Sequence, residues 1–86
     1  MKEIIQSLEQ IEKTVRGADA GKTEAAIQSA RKALAASKQQ GLEHLGEELS
    51  TWQKKLNVIL KEPAGRQGMA KHVRYWIEGL TKASDL

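Results

Sequence analysis

The sequence predicts an all-α fold, a small antiparallel up-down-up-down four-helix bundle forming a single domain over residues 1–86. Three observations predict it. Four segments carry apolar residues at alternating spacings of three and four, the repeat of a helical stripe. Alanine is abundant, phenylalanine is absent and there is one proline, a composition that favours helix over sheet. The connections between the segments are short, so consecutive helices run antiparallel. The competing architecture is an elongated helical hairpin that completes its core by dimerising.

Helix 1 is predicted over residues 2–16. Ile4, Leu8, Ile11 and Val15 form its stripe and Ile5 widens it. Arg16 suits the negative end of the helix dipole, and Gly17 suits the left-handed residue that follows a helix. The next residues, GADAGKT, resemble a phosphate-binding loop, but its first glycine would have to stand where Arg16 is. The stretch follows a helix rather than a strand, so it reads as a helix–helix connection with Asp19 or Thr23 as N-cap.

Helix 2 is predicted over residues 23–40, with Ile27, Ala30, Leu34 and Ser37 on its stripe and Ala26 and Ala33 beside it. These small residues let a neighbouring helix come close but bury little area. The break after it rests on Gly41, with Gly46 as a second candidate. Without a break there, helices 2 and 3 would merge into a kinked rod on the order of 58 Å long.

Helix 3 is predicted over residues 42–61. Leu42, Leu45, Leu49, Trp52, Leu56 and Ile59 make the longest regular stripe in the chain, which marks this helix as the one on which the others pack. Glu43, Glu47 and Glu48 precede Lys54, Lys55 and Lys61, an order that complements the helix dipole. Val58 lies nearly opposite Leu56, off the stripe. Pro63 ends the helix and disfavours helical geometry at Glu62. The stretch PAGRQG reads as a loop. Helix 4 follows over residues 67–82, with Met69, Val73, Trp76 and Leu80 on its stripe and Ile77 broadening it.

Several kinds of chemistry find no support in the residues. Without cysteine there is neither a disulfide nor a thiolate nucleophile. His44 has Glu47 and Glu48 one turn away, but no Glu-x-x-His pattern of a di-iron bundle occurs on two helices. The sequence therefore assigns no catalytic residue, no metal and no cofactor, and the protein is expected not to be an enzyme. No apolar run reaches the roughly 20 residues of a bilayer span, and the first residues lack the apolar core of a signal peptide. The expectation is a cytoplasmic protein without a membrane partner.

Charge gives the best functional lead. The chain carries a net +3, but residues 54–82 hold seven cations against two acids, Glu62 and Glu78. Within them, GRQGMAKHVRYW places Arg66, Lys71 and Arg74 near the expected start of helix 4, where free backbone N–H groups would favour an anion. Gly68 would let that backbone approach an oxyanion. Tyr75 stands about 200° around the helix from Val73, on the face away from the core. Arg66, Gly68, Lys71, Arg74 and Tyr75 are the candidate site, with the amides near Gly68 and Met69 completing an anion cradle. The function expected is a helical protein–protein interaction or adaptor module that binds another protein or itself. The alternative is a small nucleic-acid-binding protein, or one that docks on an acidic surface, through the basic face around helix 4.

Overall fold

The computed structural model describes residues 2–37 and 42–84, without the side chain of residue 84. Among these residues are four helices: α1 (Lys2–Arg16), α2 (Ala20–Ala36), α3 (Glu43–Lys61) and α4 (Pro63–Ser84). In chain order each helix packs on the next, and α4 closes the ring against α1. The longest dimension is 37 Å. A 22-residue helix such as α4 is itself about 33 Å long, so the four helices lie side by side. That length leaves no room for the elongated hairpin, and the architecture is the four-helix bundle.

α1 ends where its stripe ends. The N–H of Asp19 donates to the Thr14 carbonyl and that of Ala18 to the Val15 carbonyl, both at 3.1 Å, which together make a Schellman stop. The left-handed residue is Ala18, at φ 56°, and not Gly17 as expected. The motif needs its left-handed residue two positions after the last helical one, and alanine occupies that place.

Asp19 then caps α2, its Oδ1 accepting from the Lys22 N–H at 3.0 Å. This sets the start of α2 at Ala20, three residues before the expected Thr23. The Thr23 hydroxyl donates to the Asp19 carbonyl at 2.6 Å, which satisfies a side chain that is fully buried. At its other end α2 stops at Ala36 with an extended Ser37. The expected continuation to residue 40 and the break at Gly41 lie outside the described residues. α2 and α3 are separate helices packed on each other, and the Arg31 Nη1 donates to the Gln53 Oε1 across them at 2.6 Å.

α3 begins after Leu42, which offers no side-chain cap. The passage from α3 to α4 differs most from expectation. No loop runs over residues 63–68: Glu62 alone separates the two helices, extended at φ −122°, ψ 142°. Pro63 forces that geometry on Glu62 and then occupies the first position of α4, where its missing N–H costs nothing. The same proline that ends one helix starts the next.

The core is one cluster drawn from all four helices. Its driest part belongs to α1: Ile4, Leu8, Ile11 and Val15 are at most 2% exposed. α3, expected to be central, has only Leu49 fully buried, while Trp52 and Ile59, and Leu42 just before the helix, are half-buried. The organising helix is therefore α1. A regular stripe reports which face turns inward, but burial depends on how many neighbours cover that face.

Candidate binding surface on α4

α4 meets α1 on one side and α3 on the other, and these contacts decide what its polar residues can do. Arg74 lies about 100° around the helix from the buried Val73, towards α1. Its Nε donates to the Glu12 Oε2 at 3.1 Å, and its Nη2 donates to the Glu12 Oε1 in a short second contact. Arg16, one turn on from Glu12, adds a longer contact of 3.5 Å to the same carboxylate. Glu12 is buried, and the Arg74 hydrogen bonds hold its carboxyl below the usual carboxylate range against the opposing effect of desolvation. The fork-to-carboxylate geometry makes this pair a clasp between α1 and α4.

Arg66 also turns inward. Its Nη1 donates to the Leu60 carbonyl at 2.7 Å, so it caps the last turn of α3. Just before it, Gly65 presses against the Ile59 backbone, and a Cβ at that position would collide with the Ile59 carbonyl. Gly65 lets the first turn of α4 fold directly back onto the end of α3.

Two expectations for the site are therefore corrected. Because α4 starts at Pro63, Gly68 and Met69 lie inside the helix and their N–H groups belong to its i→i−4 ladder. The unshared N–H groups of the first turn are those of Ala64 and Gly65, so the cradle expected near Gly68 is not formed. Arg66 and Arg74 do not join an open basic patch either: each donates to another helix.

Lys71 and Tyr75 stand where the helical wheel placed them. Both are exposed, Tyr75 at 75%, and Gly68 beside them has open space where a Cβ would be. Val58 on α3 is exposed at 72%.

An aromatic group at the α3–α4 seam escaped the sequence reading. The Trp52 and Trp76 rings stack with centroids 4.9 Å apart, and His72 stands edge-on to both, at 5.6 Å from Trp52 and 4.8 Å from Trp76. The signal was present in the spacing, since His72 and Trp76 are one turn apart and Trp52 lies on the α3 stripe. What was missing was the register of α4 against α3, set by the single-residue connection at Glu62.

Among the described residues, no buried side-chain polar atom lacks a partner and no cluster of three His, Asp or Glu could hold a metal ion. No helix among them is long and apolar enough to cross a membrane. Fold and surface together define a small all-α bundle with a closed core and an outward-facing lysine and tyrosine on its last helix. Compared with family models, curated proteins and solved structures, the chain matches none.

Proposed function

We propose that this protein is a small helical interaction module, acting by binding another protein or a second copy of itself rather than by catalysis. The observation that carries the reading is Tyr75. It keeps three-quarters of its surface in water on a helix whose other large apolar side chains are buried. A tyrosine presents a large, rigid contact area at little cost in side-chain entropy, which is why exposed tyrosines are enriched where proteins bind. The nucleic-acid alternative loses support, because Arg66 and Arg74 are engaged inside the molecule.

The test replaces Tyr75 by a photoreactive phenylalanine analogue of similar shape, with the exposed Gln28 on α2 as the control position. Irradiation in the native cell is expected to give discrete protein adducts at position 75, diminished by excess unlabelled protein, and none of them at position 28. An identical pattern at both positions, no adduct at 75, or adducts with nucleic acid alone would overturn the reading.

A further inference from the structure

The outward face of α3 carries a pattern that the core does not explain and the helix dipole explains only in part. Glu47, Thr51, Lys54 and Val58 fall at spacings of four, three and four, with Lys55 beside them, so they form a second stripe opposite the buried one. All five are exposed. The stripe is acidic at its start and basic at its end, with Thr51 near the middle. The dipole favours cations only in the last turn, which accounts for Lys61 but not for Lys54 and Lys55. It gives no reason for Val58 to stand exposed beside them. Neither Lys54 nor Lys55 is in an ion pair with a described residue; the ion pairs between described residues include those of Glu12 with Arg16 and Arg74, and of His44 with Glu48.

Such a stripe is self-complementary under a two-fold axis. If two copies lay α3 against α3 in opposite directions about Thr51, Glu47 of each would come alongside Lys54 and Lys55 of the other. Val58 would then lie across from His44 of the other copy, one turn before its Glu47. Isologous pairing requires this reciprocity: where residue i meets residue j, j meets i. A foreign acidic partner would satisfy the lysines but leave Glu47 facing like charge. A second copy satisfies both ends, and charge complementarity therefore selects it as the occupant.

We infer that the outer face of α3 is a docking site for a second copy of this chain, paired antiparallel about Thr51. The inference rests on the interaction-module reading but concerns α3, whereas the test of that reading probes α4. The interface is rich in exposed ion pairs and poor in apolar area, so the association is weak and salt-sensitive.

Sedimentation equilibrium of the full chain up to millimolar concentration at low ionic strength tests it. Reversible dimerisation that weakens several-fold on adding 0.5 M salt is expected. Glu47→Lys should remain monomeric, as should the double variant Lys54→Glu, Lys55→Glu, because each brings like charges together at both ends. Mixing the two variants should restore a dimer, since every contact is again between opposite charges. Wild type that stays monomeric at millimolar concentration overturns the inference. So does a dimer in which the charge variants associate as well as wild type, or a mixture that fails to associate. Position-75 adducts with other proteins, found alongside a strictly monomeric chain, would leave the interaction module standing and remove this face from it.

Discussion

α4 is held by two seams of different construction. Towards α1 it meets the driest stripe of the molecule, and the Arg74–Glu12 clasp closes the edge. Towards α3 it meets the half-buried Trp52 ring, stacked on its own buried Trp76, and a close backbone contact at Gly65, with Arg66 capping the neighbour. The α1 seam draws its strength from apolar side chains removed from water, the α3 seam from shape and register. The two should therefore fail in different ways.

The largest effect is expected on the α1 side. Leu8 is fully buried, and Leu8→Ala should cost about 3 kcal/mol through lost transfer energy and a residual cavity. Trp52→Ala, on the half-buried side, should cost less despite the larger ring, about 2 kcal/mol, because part of that ring is already in water. Urea denaturation of both variants would measure the difference, and a larger loss for Trp52→Ala would reverse the ranking of the seams.

Next is the tight turn. Gly65→Ala should destabilise the fold by about 2 kcal/mol, because the new methyl group meets the Ile59 backbone, which cannot move aside as a flexible side chain would. Gly68→Ala, three residues further on, should stabilise it by about 0.5–1 kcal/mol, since alanine restricts the unfolded chain and meets nothing in the folded one. Opposite signs for the same substitution within one turn of α4 would locate the close approach at the α3 end. Equal signs would show that Gly65 is not confined.

The smallest effect belongs to the clasp. The carboxyl of Glu12 is held below its ordinary range, so the unfolded chain takes up a proton there before the folded one does. The stability it contributes is present in full above the ordinary carboxylate range and is lost as pH falls through the lowered value. Thermal melts from neutral pH to below pH 4 should show a steeper decline for wild type than for Glu12→Gln, which melts lower at neutral pH and has no such group to titrate. Parallel declines would mean that the clasp is no more than a solvated surface pair.

The same contrast marks what a linear reading could reach. The stripes of α1 and α4 were legible because a helical face repeats along the chain, and so were the outward positions of Lys71 and Tyr75. The roles of Arg66 and Arg74 were not. As a string of residues they are cations near a glycine and a tyrosine. Arg74 acquires its partner 62 residues away, on a helix whose Glu12 gives no sign of being a partner. Arg66 is redirected by the turn at Glu62, which brings the end of α3 within its reach.

By itself, the sequence determined the class of fold and the inward face of the strongly striped helices, because periodicity and composition are local and need no knowledge of neighbours. Tertiary structure alone decided that α1 rather than α3 lies deepest and that two of three candidate cations serve the fold. It also decided that Trp52, His72 and Trp76 form one cluster. Each of these depends on how far one helix slides and rotates against another, and that register arises from the connections and the packing of all four helices together.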